Sequence, residues 1–265
     1  MLFQIKSYLQ FLWHSKNEHS VHSPFVFILI TKCFYDKKPK ADYSLLKSYR
    51  QSLLENKKSI EVTDFGAGSK VFKSNVRPIA QIAKTAGISP KRAELLYRIV
   101  AYFQPETILE LGTSLGLATS ALALGSRTFG TKTTITSLEG CPNTMAVAKN
   151  QLQQLNINNV KCITTEFKTF LNQTGTETET KTYKLIYFDG NHSKKATLDY
   201  FEHLLPTIHN DTVWILDDIH WSAEMSAAWE QIKKHPKVKV TIDTYQWGLV
   251  FFRYEQPKQH FIIRI

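Results

Sequence analysis

A chain of 265 residues with 43% apolar content suits one large domain, or one domain with an extension, and either can bury a substantial core. No apolar run approaches the ~20 residues of a membrane span, and no charged-then-apolar leader opens the sequence, so a cytoplasmic location is expected. Three cysteines (Cys33, Cys141, Cys162) are an odd number without metal spacing, so neither a disulfide framework nor a zinc site is implied and they are expected to be reduced and structural. The net charge of +10 is uneven: residues 1–92 hold 16 Lys/Arg against 6 Asp/Glu, and the remainder holds 17 of each. Such a basic third can serve solubility or hold an acidic substrate, a nucleic acid or an anionic membrane surface. Its lysines are scattered, without the interleaved aromatics of an RNA module.

In chain order, residues 2–13 carry a helical apolar stripe (Leu2, Ile5, Leu9, Leu12) expected to dock on the main body, with a membrane-surface helix as the alternative. His14, His19 and His22 follow at spacings that offer no one-face metal pair, so a solvated or substrate-facing loop is expected. Ser23-Pro24 reads as a helix start for residues 25–34. A second helical stretch covers 43–55. The decapeptide Ile60-Glu-Val-Thr-Asp-Phe-Gly-Ala-Gly-Ser69 imitates a strand leading into a glycine turn. No amphipathic helix follows it and no acid-terminated strand arrives about 20 residues later, so 64–69 is assigned to a loop, one placed to lie over an active-site mouth. Residues 76–85 and 89–103 read as helices, the second capped by Ser89 with Pro90 in its first turn and ended at Gln104-Pro105.

From residue 107 the pattern alternates: strands at 107–111, 133–138, 160–165, 183–188 and 212–217, with helices at 115–125, 142–155, 167–172, 194–208 and 222–234. Alternation of this kind predicts a doubly wound, mostly parallel α/β sheet. Strands 237–244 and 247–253 are joined by a linker too short for a helical crossover, so they must form an antiparallel hairpin, giving seven strands. The expected organisation is a basic, mostly helical extension over 1–88 and the sheet domain over 89–265.

The pivotal stretch is Thr107-Ile-Leu-Glu-Leu-Gly-Thr-Ser-Leu-Gly116, a strand that enters a glycine turn and then a helix. Ligands of open α/β sheets bind at such strand ends, and an acid ending the next strand commonly holds ribose hydroxyls. Glu139 is that acid, 23 residues after Gly116. The turn is G-x-x-x-G, lacking the third glycine of a dinucleotide fingerprint, and Glu110 would repel a pyrophosphate. ELGTSLG followed by SLEG resembles motifs one and two of the class I S-adenosylmethionine-dependent methyltransferases. The resemblance covers roughly residues 89–253 and implies a Rossmann-like fold. It also implies that Glu110, Gly112, Thr113, Ser114 and Gly116 line the methionine half of S-adenosyl-L-methionine, that Glu139 and Gly140 take the ribose, and that Glu166 lies near the adenine.

Two further strand ends carry polar clusters, Asp189-Gly-Asn-His192 and Asp217-Asp218-Ile-His220. Converging carboxylates repel unless a proton or cation sits among them, and oxygen ligands of this kind suit Mg²⁺. The layout is similar to the catechol-type O-methyltransferases, which implies Asp189, Asp217 and Asp218 as Mg²⁺ ligands. The chain departs from that pattern, because Asp218 replaces an amide and His192 stands where the family has a lysine. In the metal-free reading, Asp189 and Asp217 contact cofactor and substrate directly. His192, with Asp189, is then the candidate general base. The expected activity is O-methylation of a small molecule. An RNA-modifying methyltransferase gripping phosphates with the basic third and a non-catalytic binding protein on the same fold are the alternatives.

Overall fold

The computed structural model describes residues 2–65, 68, 72–128, 133–174 and 182–265. The chain clusters into two compact units, one of residues 1–35 with 170–265 and the other of residues 36–169. Each unit holds its own run of hydrogen-bonded strands.

Helix α1 (Leu2–His14) opens the chain, and its stripe is not docked as expected. Phe11 alone among its residues is buried, whereas Leu2 and Trp13 are 85% and 87% exposed. The apolar pattern was read correctly as a helix, but the face that packs is the one bearing Phe11, which meets Tyr245. Ser23 caps α2 (Pro24–Leu29) by accepting from the Val26 N–H, and a π-turn over Ile30–Phe34 completes the expected helix.

The second unit begins with α3 (Tyr43–Leu54) and a small antiparallel pair, β1 (Ser59–Glu61) and β2 (Val76–Pro78). Helix α4 (Ile79–Thr85) is shorter than the 76–85 expected. Pro78 takes no part as a donor, and residues 76–78 pair with β1 instead, an edge position that suits proline. Helix α5 (Pro90–Phe103) has the predicted Ser89 cap and ends at Gln104 in a left-handed conformation before Pro105. Then come β3 (Thr107–Leu111), α6 (Leu117–Ser126), β4 (Thr134–Glu139), α7 (Pro142–Gln154) and β5 (Val160–Thr164), with the three strands parallel in the order β3-β4-β5. All ten residues of α6 are buried, which explains its small, uniformly apolar or hydroxyl side chains.

Helix α8 (Phe167–Thr174) leads back to the first unit. There β6 (Leu185–Phe188), α9 (Lys194–Leu204), β7 (Val213–Asp217) and α10 (Ala223–Lys234) precede β8 (Val240–Asp243), β9 (Trp247–Phe251) and β10 (Gln259–Ile262). The strand order is β6-β7-β9-β8-β10. The predicted hairpin is present: β8 and β9 are antiparallel, with Ile242 opposite Leu249. The eighth strand, β10, was not expected; it lies parallel to β8, and its Gln-His-Phe-Ile sequence is too short and polar to announce itself. Trp214 anchors this unit's core, ringed by Phe188, Phe201 and Phe252 at centroid distances of 4.8–5.4 Å. Among the described residues no helix is long and apolar enough to cross a membrane.

Candidate active site

The turn between β3 and α6 is wound through three positive-φ residues: Gly112 (112°), Ser114 (48°) and Gly116 (80°). Gly112 and Thr113 both donate to the Leu138 carbonyl at 3.0 Å, which ties the turn to β4. Gly116 cannot carry a side chain, since a Cβ there would fall on the Tyr49 hydroxyl, which donates to the Leu115 carbonyl at 2.8 Å. Helix α3 therefore holds the turn from outside, a role no local sequence signal announced.

Glu139, at the end of β4, accepts from the Ser114 N–H at 2.8 Å through Oε2 and from the Cys141 N–H at 2.9 Å through Oε1. Burial pushes its carboxyl above the usual range, partly offset by these backbone N–H groups. The Thr144 hydroxyl and the Gly140 N–H also help to hold its charge. Thr165, one residue past β5, is fixed by its N–H to the Glu139 carbonyl, while Glu166 beside it is exposed. Gly140 is half-buried and lies against the Phe65 ring.

Glu110 does not line an open gap. It is fully buried, with Oε2 accepting from Thr119 Oγ1 at 2.6 Å and Ser137 Oγ at 2.5 Å, and Ser137 in turn meets Thr113. Its other oxygen, Oε1, is buried without a hydrogen-bond partner. Burial raises its carboxyl to about 7, against the ordinary 4.5, with the charge of Glu139 adding to the rise. An orphaned carboxylate oxygen and a second acid nearby make this unit a site short of positive charge, which fits a cationic sulfonium cofactor with an ammonium tail. The unit also holds a cavity of about 720 Å³ among Leu46, Arg50, Ile88, Ala93 and Leu117, which shares none of the expected cofactor residues.

In the other unit, Asp189 follows β6, and His192 Nε2 lies 3.8 Å from its Oδ1, beyond hydrogen-bond reach but close enough for an ion pair once the ring is protonated. Ser193 caps α9 directly after His192, and Asn191 adopts φ 50°, so the loop is tightly set. Asp217, buried at the end of β7, accepts from Tyr187 Oη at 2.9 Å and from the Asp218 N–H at 2.8 Å. Asp218 is in the left-handed region, φ 54°. His220 is clamped between Asp243 Oδ2 (2.8 Å) and Ser226 Oγ (3.0 Å) and stacks on Tyr245.

The Mg²⁺ site expected from Asp189, Asp217 and Asp218 is not assembled. Among the described residues no group of three or more His, Cys, Asp or Glu is arranged to hold a metal ion. Asp217 accepts from a tyrosine hydroxyl and a backbone N–H, both of which steady its charge. As arranged, these carboxylates do not fit the metal.

Residues 109–219 match a family described as a methyltransferase domain. No curated protein matches the chain. Among solved structures, the SAH-bound Podospora anserina methyltransferase PaMTH1 has a TM-score of 0.61 at 13% identity, over 88% of this chain and 97% of that one. The Bacillus cereus O-methyltransferase in complex with SAH has a TM-score of 0.56 at 17% identity, over 85% and 94%. TomG, an O-methyltransferase from Streptomyces achromogenes in complex with SAM, has a TM-score of 0.56 at 12% identity, over 85% and 96%. The methyltransferase-domain match over residues 109–219 falls on the glycine turn and the acid-ended β4, and the fold is that of these methyltransferase structures. The O-methyltransferases among these structures share that fold.

Proposed function

We propose that this chain transfers the methyl group of S-adenosylmethionine to an oxygen of a small-molecule acceptor. The observation that carries the reading is the Glu139 carboxylate, held at the end of β4 by two backbone N–H groups, one of them from the glycine turn. When bound, S-adenosylmethionine supplies an electrophilic methyl group on a sulfonium. Glu139 would hold the ribose diol, with Gly140 beneath the nucleoside and Glu166 near the base. Gly112, Thr113, Ser114 and Gly116 would cradle the amino-acid half, above the buried negative charge of Glu110.

On the acceptor side, His192 would take the hydroxyl proton as the oxygen attacks the methyl carbon and the carbon–sulfur pair leaves with sulfur. Asp189 would steady the resulting imidazolium and help to orient the cofactor, and Asp217, fixed by Tyr187, would orient the acceptor. Catalysis is then chiefly positioning plus one proton transfer.

Calorimetry with S-adenosylmethionine and S-adenosylhomocysteine, followed by transfer of labelled methyl to a panel of hydroxylated small molecules and to RNA, tests this. Both cofactor forms should bind, label should enter the small molecules, and His192→Ala should lose turnover while keeping cofactor affinity. Absence of binding overturns the reading; label entering RNA alone overturns the acceptor class.

A further inference from the structure

Residues 61–65 lie well before the matched methyltransferase domain, in the stretch that imitates a glycine motif. Their position is fixed by a chain of contacts to the Glu139 cradle. The Thr63 N–H donates to Cys141 Sγ at 3.4 Å, and Asn143 Nδ2 donates to the Glu61 carbonyl at 2.7 Å. Cys141 is the residue whose own N–H holds Glu139 Oε1, so this strand and the acid are pinned to one position. The Val62 N–H continues the β1–β2 pairing by donating to the Asn75 carbonyl at 2.8 Å. Asp64 is then held from the other side by Arg77 at 3.5 Å, and that guanidinium sits 5.1 Å above the Phe72 ring.

Between these two anchors stands Phe65. Its ring lies so close over Gly140 that a Cβ on that glycine would come within 2.6 Å of Phe65 Cδ2, yet 49% of the side chain remains exposed. A half-exposed phenylalanine held against the residue after the ribose acid leaves apolar surface uncovered where a nucleoside passes. A purine has two apolar faces to bury, and aromatic rings are sequence-tolerant platforms for them.

We infer that residues 61–65 form one wall of the nucleoside pocket and that Phe65 is the aromatic face on which the cofactor's adenine rests. The inference depends on the proposed cofactor site at Glu139. It adds that the pocket is completed by the hairpin ahead of the sheet rather than by the sheet's own loops alone. Gly140 is then glycine because the ring lies where its Cβ would be, and any larger residue there would push the wall outward.

The test is calorimetric affinity for S-adenosylhomocysteine and for adenosine, in the wild-type full chain and in Phe65→Ala, Phe65→Leu and Phe65→Trp. Phe65→Ala should weaken both ligands by about tenfold, and Phe65→Leu by nearly as much, since bulk without a ring does not stack. Phe65→Trp should hold the affinity and gain a fluorescence change on binding that the wild type lacks. Because the side chain is half-exposed, the melting temperature of each variant without ligand should stay close to that of the wild type. Wild-type binding with unchanged or tighter binding by Phe65→Ala overturns this inference alone. Failure of the wild type to bind either ligand overturns the cofactor site and the wall with it.

Discussion

The cradle around Glu139 and the loops after β6 and β7 both gather carboxylates at strand ends, yet they are held by different means. Glu139 is held by the N–H groups of Ser114 and Cys141, that is, by the path of the backbone. Asp217 and His220 are held largely by side chains, Tyr187 in the first case and Asp243 with Ser226 in the second. A backbone-built site is encoded by the few residues that shape a turn, so many neighbours can change without moving it. A site built by side chains depends on partners scattered along the chain, which makes it both more particular and easier to break with one substitution. If the proposed roles hold, the first arrangement serves the cofactor and the second the acceptor.

The sharpest way to break the backbone-built half is Gly116→Ala. Its Cβ would displace the Tyr49 hydroxyl and orphan the Leu115 carbonyl in a residue already at φ 80°. A loss of roughly 3 kcal/mol or more is expected in chemical denaturation, with cofactor binding lost alongside. Next, Glu139→Ala should weaken cofactor affinity by at least ~tenfold, because charge-assisted ribose bonds are each worth ~1.5–3 kcal/mol. Retained affinity in a folded Glu139→Ala protein would mean the cradle serves only to hold the turn.

Glu110 gives a pH test of the same half. Its folded value of about 7 lies above the ordinary 4.5, so its contribution to stability is full below 4.5 and is lost as pH rises to about 7. Across that window the wild type should lose on the order of 3 kcal/mol relative to Glu110→Gln, in which the slope is absent. Cofactor affinity should rise with pH over the same window, because a cation favours the ionised carboxylate, and Glu110→Gln should flatten that rise as well.

For the half built by side chains, Tyr187→Phe removes a buried bond to a carboxylate and should cost ~1.5–3 kcal/mol, with turnover reduced. Cofactor affinity should be untouched; a matching loss there would show that the two halves do not act independently. The smallest effect belongs to Mg²⁺, which should shift the melting temperature by less than about 1 °C, since a ligand stabilises only what it binds. A clear stabilisation that Asp217→Asn abolishes would show the carboxylates regrouping around the ion.

Much of this molecule could be read from its residues. The alternation from residue 107 onward fixes the doubly wound sheet, and the short link between β8 and β9 forces the hairpin. Glu139 stands out because an acid after a β-rich run is a local signal, and it does end β4. What could not be read depends on distant partners. Nothing near Gly116 indicates Tyr49, 67 positions earlier, and nothing in Glu110 indicates that two hydroxyls would bury it rather than leave it facing the gap. The stripe of α1 was visible, but the choice of which face packs was made by Tyr245, far along the chain. Of the loop expected at 64–69, residues 64, 65 and 68 carry no helix or strand, while 66, 67 and 69 lie outside the described residues.

Strand β10 does more than extend the sheet. Its end is bridged to Lys16, whose N–H donates to the Ile262 carbonyl while the Arg264 N–H donates back to the Lys16 carbonyl. The Arg264 guanidinium also reaches the Leu12 carbonyl at the end of α1, across 252 positions of sequence. Arg264→Ala should therefore release the last turn of α1, so that amide exchange there speeds up while exchange in the sheet stays as it was.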